Sequence, residues 1–458
     1  MSTSPSVDAG PLRATIKGGV VTPEDPAWND ARQAWNLVAD QRPALVVQPT
    51  NADDVAATVR FAAAAGLRVA PQCFGHGAVS LGDLDRTILL RTTGMTGVSI
   101  DPERRTATVR AGAAWRDVVG PAAEHGLVGL HGMSGGVGVI GYALGGGIGW
   151  LSRLHGLAST HIASLEVVTA DGEQRQVDAD HEPELFWALR GGGGGPAVVT
   201  SIEIALFDLR EAFAGALMWP VEAAGQIVHG YRDWALAAPD EVTSTIRLLR
   251  FPPLPQIPEP LRGRQLVAIT LAFTGSESDG NELVAPLRAL GKPYLDTVAT
   301  IPAPVLCDIS GDPQDPGPAI GNGLLLERFT SETADAYLEL GGPGAQCSFV
   351  SLEIRHLGGA LKSATPDPGA AGPLTSDALV FATGVPADPE LGAALHAGHE
   401  ALRERMSPWI GERSSLLTFN ERDRSLRAAF TAPVADRLAA ATNAYDPDGL
   451  FVANHVAG

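Results

Sequence analysis

The feature that most constrains this chain is the crowding of glycine into three stretches of its first 200 residues. These are Gly75-His76-Gly77, the run from Gly132 to Trp150, and Gly191 to Gly195. Glycine loses more conformational freedom on folding than any other residue, so a dense run marks main chain that takes positive φ or approaches something closely. One such run is an ordinary turn; three with apolar flanks point to backbone amides wrapped around a flat anionic ligand. Within the second run, Gly136-x-Gly138-x-x-Gly141 satisfies the dinucleotide fingerprint. That fingerprint needs a buried strand before it and a helix opening inside it. Gly145-Gly146-Gly147 follow at once, which predicts no helix there and hence no Rossmann-type nicotinamide site.

His76 lies between two glycines directly after a predicted strand. Its imidazole is thereby presented as a nucleophile, a base or a metal ligand. No second histidine or carboxylate stands at ligand spacing nearby, so no metal site is expected.

The flanking pattern is mixed α and β. A strand over Ala44–Gln48, a helix capped by Asn51 or Asp53 and ended by Gly66, and a strand over Leu67–Ala70 predict an α/β unit with parallel neighbours. Short strands follow at Thr87–Arg91, Gly97–Asp101 and Ala107–Gly112, with helices over Ala114–His125 and Pro183–Arg190 and a strand over Val198–Ile204. After about Phe207 longer alternating strands appear (Val242–Phe251, Gln265–Phe273, Cys347–His356), with helices at Ser278–Leu290 and Thr330–Glu339. From about Leu416 short strands and a helix return. A chain of 458 residues exceeds one hydrophobic core, and three segments are expected: 1–207, 208–415 and 416–458.

The formal net charge of -19 argues against nucleic acid or an anionic membrane as partner, and leaves a cationic substrate open. Cys73, Cys307 and Cys347 fit neither a zinc motif nor a disulfide framework. The opening residues lack a signal-peptide pattern and every apolar stretch is interrupted, so a cytoplasmic monomer or homodimer is expected.

Taken in order, several motifs resemble the FAD-binding domain of the vanillyl-alcohol-oxidase superfamily (PCMH-type), in its berberine-bridge-enzyme-like branch. They are Ala31-Arg32-Gln33-Ala34-Trp35-Asn36, Gly75-His76, Val167-Val168-Thr169-Ala170-Asp171-Gly172, Leu185 to Gly194, and Tyr445-Asp446-Pro447 with Phe451 and Asn454. The resemblance implies an α+β fold: a two-subdomain PCMH-type FAD-binding domain plus an inserted substrate domain whose antiparallel sheet is covered by helices. It implies FAD held by Phe74, Gly75, His76, Gly77, Ala78, Gly132, Met133, Ser134, Val137, Gly138, Gly141, Tyr142, Gly146, Gly149, Ile162, Val199 and Asn454. In many members the histidine at the place of His76 is bonded to the flavin 8α-methyl group. The cysteine that makes a second link in some members is Ser134 here, so a single link is expected. Gln72 replaces the usual arginine, Gly195-Pro196-Ala197 replaces Gly-Asn-Phe-Gly, and Thr418 precedes Asn420 where members often carry a catalytic tyrosine.

The activity implied is hydride transfer from a small organic substrate (an alcohol, an amine or a secondary-metabolite intermediate) to flavin N5, with dioxygen as acceptor. Gly132, lacking a side chain, would leave an oxygen path open. The alternatives are a drug-binding or resistance protein on the same fold and a flavin dehydrogenase with another acceptor. Alternation puts Ser351, Glu353 and Arg355 on one face of their strand. Glu353 is thus a candidate base or polar anchor, with Arg355, Tyr142, Arg247 and His455 as further candidates and a solvent-facing Glu–Arg pair as the alternative.

Overall fold

The computed structural model describes residues 7–363 and 367–456. The first layer is a four-stranded sheet in the order Gly19–Val21, Leu45–Gln48, Thr87–Arg91, Arg68–Gln72. The helix Ala52–Ala65 forms where expected. The Asn51 side chain accepts the Asp54 amide at its start, and Gly66 closes it at φ 64°. The parallel pairing is less direct than the order of elements suggests. Leu45–Gln48 and Arg68–Gln72 are not neighbours, because Thr87–Arg91 lies between them, parallel to both.

A second sheet runs Val98–Asp101, Thr106–Arg110, Val198–Ala205, Ile162–Val168, Gln174–Val177, all antiparallel. The long glycine run pairs with the segment that follows Thr106–Arg110. Trp115 N–H donates to Val137 O (3.0 Å), Arg116 N–H to Gly135 O (2.9 Å) and Val139 N–H to Ala113 O (3.1 Å). A six-residue helix, Val139–Leu144, forms inside this run, with Gly138 as its N-cap. This corrects the expectation that the glycine triplet forbids a helix: the triplet only stops it at Gly145. The Rossmann arrangement is still not met, since the strand before the run is just Leu127–Val128, an edge pair with Phe207–Asp208.

The third sheet has eight antiparallel strands, ordered Leu295–Asp296, Glu211–Pro220, Gln265–Phe273, Val242–Arg250, Ser351–His356, Ala378–Gly384, Ile320–Leu326, with Ala299–Pro302 also on Glu211–Pro220. Its register sorts the side chains. Leu217, Ile269, Ile246, Ile354, Val380 and Leu324 face outward into a core with Tyr231, Val284, Tyr337 and Leu402, from the helices Ala224–Ala237, Glu277–Arg288, Ser331–Gly341 and Pro389–Met406. The inner face carries small and polar residues instead: Ala214, Ala272, Thr245, Arg247, Glu353, Arg355, Phe381, Gly321 and Gly323. That face meets the glycine run, where Ala214 and Ala272 pack with Met133 and Trp150, and Leu325 and Leu379 with Ile148. A sheet apolar on one side and polar on the other leaves its polar side for a ligand-bearing cleft.

The C-terminal return has no strands among the described residues. It consists of Leu426–Ala429, Ala432–Tyr445 and single bridges from Phe451 to Val69 and from Val456 to Ser425. Tyr445 Oη donates to Glu182 (2.6 Å) and Arg437 pairs with Glu184, which docks the last helix on Pro183–Leu189.

Candidate flavin site

The turn after Arg68–Gln72 presents His76. Gly75 sits at φ 88°, a conformation open to glycine, and a Cβ there would press on Ala34 Cβ at 2.9 Å and Gln72 Nε2 at 2.8 Å. Gln72 is buried and exchanges amide hydrogen bonds with Gln41 at 2.9 and 3.0 Å. A neutral amide pair thus supports the turn from below. The His76 ring stacks on Trp35 (centroids 4.4 Å apart, planes at 18°) with Phe74 edge-on at 6.4 Å. Burial holds its pKa down to about 4, with no neighbouring charge contributing. At neutral pH the imidazole is therefore uncharged, with a lone pair to offer.

The expected pieces come together around it. A Cβ on Gly138 would lie 3.4 Å from the Phe74 ring and 3.5 Å from Cys73, so the His76 turn touches the long glycine run. Asn454 Nδ2 donates to Gly77 O (2.7 Å) and Ser80 Oγ (2.9 Å), clamping the same turn from the C-terminal end, beside the buried Ala78. Gly193 N–H donates to Leu144 O (2.8 Å), and Gly195 lies beside Ala453, which brings in the third cluster. Gly141 and Gly194 are exposed, and Gly141 has nothing within 4 Å of where a Cβ would stand. Bare main chain beside open space at one end and an uncharged imidazole at the other suit a flavin dinucleotide.

Other residues serve the frame. Gly149 admits no side chain, because a Cβ would collide with the His131 carbonyl oxygen. Gly146 takes φ 106°. Val137 is half-buried. Ser134 Oγ accepts the Gly136 amide at 3.4 Å, and the Cys307 thiol packs against Gly135. Ile162 and Val199 are buried in the same core as Ile140. At Gly132 the place of a side chain is taken by the Tyr142 ring, 3.0 Å from the would-be Cβ, so its bareness accommodates a ring.

Tyr142 is buried edge-on to Trp115 (5.6 Å), and its hydroxyl has no hydrogen-bond partner among the described residues. Burial raises its pKa, with Arg355 opposing. Glu353 is not solvent-facing. It is 3% exposed, accepts Arg247 Nε at 2.7 Å and Arg355 Nε at 2.8 Å, and is held as a carboxylate against the burial penalty by Arg355 and Arg247. Of the two roles considered for it, this geometry supports the anchor, since a doubly paired carboxylate is a weak base. Arg247 also reaches Asp312 at 3.4 Å, and Arg355 lies over the Phe419 ring at 4.9 Å. His455 Nε2 meets the Asn420 carbonyl oxygen at 2.9 Å. A surface cavity of about 420 Å³ between Ala224–Ala237 and Glu277–Arg288 lies on the outer, helix-covered side, away from all of this.

Sequence reasoning missed two participants. Trp35 was visible only as part of a family-like opening, with nothing to show that it stacks on His76. Glu421 follows Asn420 and had no motif to mark it, yet its carboxylate reaches the inner face above Gly321.

Residues 43–178 match the family described as FAD binding domain. The crystal structure of 6-hydroxy-D-nicotine oxidase from Arthrobacter nicotinovorans superposes with a TM-score of 0.84 at 25% identity, covering 97% of this chain and 98% of that one. Residues 43–178 thus carry an FAD binding domain, and the described chain as a whole shares the fold of that oxidase. The same fold is shared with Physcomitrella patens BBE-like 1, with a TM-score of 0.85 at 18% identity over 99% of both chains. In sequence, the chain is 32% identical over 286 residues to (R)-6-hydroxynicotine oxidase of Paenarthrobacter nicotinovorans, 62% of this chain and 61% of that one, so it spans under two thirds of that relative's length. It is 33% identical over 214 residues to glucooligosaccharide oxidase of Sarocladium strictum, 45% of this chain and 43% of that one. No described helix is long and apolar enough to cross a membrane.

Proposed function

We propose that this protein is an FAD-dependent oxidase of a small organic substrate, an alcohol, an amine or a related metabolite, with dioxygen as electron acceptor. The observation that carries the reading is the joining of the His76 turn, the long glycine run and Gly193–Gly195 by direct contacts, with the inner face of the eight-stranded sheet packed on the same run. Bound FAD would supply hydride acceptance at N5 and reoxidation by dioxygen to hydrogen peroxide; the protein supplies orientation and electrostatics. The Gly132–Trp150 run and Gly193–Gly195 would hold the dinucleotide. Trp35 would keep His76 upright and uncharged, suited to a single bond with the flavin 8α-carbon. Ser134 offers a hydroxyl where a second, thioether link would need a thiol.

On the substrate side, the Glu353–Arg247–Arg355 group would fix the floor, with the Arg355 guanidinium over the Phe419 ring. The inner-face glycines Gly321 and Gly323 let the Phe381 ring and Phe419 pack close against the sheet. Relatives named as oxidases of a nicotine derivative and of oligosaccharides support oxidase chemistry on small polar molecules. Supplying candidate amines and alcohols without air and watching the flavin bleach, then admitting air and measuring peroxide, tests the reading. Bleaching that dioxygen fails to reverse would instead favour a dehydrogenase; binding without bleaching would favour a sequestering protein.

A further inference from the structure

We propose that Glu421 is the specificity-determining carboxylate of the cleft, receiving the ammonium group of a cationic substrate. This deepens the oxidase reading and rests on it.

The argument starts from charge accounting on the inner face. Two guanidiniums, Arg247 and Arg355, face two carboxylates, Glu353 and Asp312, at 2.7 to 3.4 Å. That group is closed and neutral. Glu421 stands apart from it. Among the described residues no cation pairs with its carboxylate, and the Gly321 amide beside it alone opposes the effect of burial on its titration. Burial without a counter-ion pushes its pKa up to about 7. A carboxylate kept in a cleft at that cost is a receptor for a cation that arrives from outside.

The surroundings fit an organic cation. Glu421 Oε1 lies 3.6 Å from where a Gly321 Cβ would stand, and the Phe381 ring 3.1 Å from the same point. The carboxylate and an aromatic ring, both half-buried, therefore stand side by side over Gly321. Phe381 packs edge-on against Phe419 at 5.4 Å. An ammonium beside a carboxylate and aromatic faces is held by charge and by the ring quadrupoles together. The Asn322 side chain accepts the Glu421 amide at 3.2 Å, which fixes the backbone that carries the group. The same segment is tied to the flavin end: Asn36, next to Trp35, exchanges hydrogen bonds with Ala319 at 2.9 and 3.2 Å. Glu421 thus lies on the wall that runs from the His76 support to Arg355 and Phe419.

The test titrates benzylamine and its neutral counterpart benzyl alcohol into the flavin-loaded full-length protein, following the perturbed visible flavin spectrum. Wild type is compared with Glu421→Gln. The starting spectrum reads whether flavin is bound at all, so failure of the oxidase reading is seen separately. The expected result is about tenfold or greater preference for benzylamine in wild type. In Glu421→Gln that preference disappears, with the flavin spectrum and the benzyl alcohol affinity unchanged. Equal affinities in wild type, a preference that survives the substitution, or no binding of either ligand would each overturn the proposal. Circular dichroism of Glu421→Gln guards against misfolding; if it misfolds, Glu421→Asp, with a shorter reach, must weaken benzylamine selectively.

Discussion

Replacing Glu353 by Gln should be among the most damaging single changes on the inner face, far beyond what its modest isosteric nature suggests. The side chain is 4% exposed and its partners Arg247 and Arg355 are 9% and 7% exposed. Removing the negative charge leaves two guanidiniums in a dry site, with only Asp312, at 3.4 Å, to answer them. Stranding buried charge in this way costs about 3–5 kcal/mol. With an m-value near ~3 kcal/mol per M of urea, the unfolding midpoint should fall by about 1 M or more. Equilibrium urea denaturation followed by tryptophan fluorescence measures it. A companion variant in which Arg247, Glu353 and Arg355 all become Met or Leu should lose far less, because no charge is left unanswered. A Glu353→Gln cost below about 1 kcal/mol, within the range of exposed pairs, would refute the claim that this group is closed and dry.

The two bare glycines of the long run should separate sharply. Gly149→Ala collides with the His131 carbonyl oxygen and should abolish soluble folded protein, whereas Gly141→Ala meets nothing and should leave the apoprotein's melting temperature unchanged while weakening FAD retention, as read by titration. Asn454→Ala removes the bonds to Gly77 O and Ser80 Oγ, and should lower apoprotein stability by about 1–2 kcal/mol and slow flavin incorporation on reconstitution. Stability should fall as pH drops from about 6.5 to about 4. Burial holds His76, His155 and His399 at about 4 and His356 at about 3, so the unfolded chain binds protons in that window and the folded chain does not. Urea midpoints across that range check it, and His76→Ala should flatten the slope.

Much of the frame was legible in the sequence for identifiable reasons. The Asn51 cap and Gly66 bracket a helix that local chemistry alone specifies. The alternation of Ser351, Glu353 and Arg355 against Leu352 and Ile354 shows in the two faces of their strand, since a period of two is fixed by the pleat. Glycine density was over-read in one place: Val139–Leu144 is helical despite the triplet beyond it, because a helix needs favourable residues within it and tolerates a stop at its end. The insertion of Thr87–Arg91 between the first two parallel strands was invisible, as pairing partners distant in sequence leave no local mark. Gly132 shows the same limit: glycine signals closeness without naming the neighbour, and the neighbour is Tyr142. Glu421 went unnoticed because its meaning depends on having no cation nearby, a property of the fold and not of the motif.

The most direct measurement is the fate of the flavin when the purified protein is unfolded in acid, pelleted, digested and mapped by mass. A yellow pellet, with the flavin mass carried on the peptide that contains His76 and lost in His76→Ala, is the outcome expected of a neutral imidazole braced on Trp35 at the edge of a glycine cradle. A colourless pellet with all the flavin free in the supernatant would contradict the bond, and a purified protein with neither colour nor affinity for FAD would contradict the cradle itself.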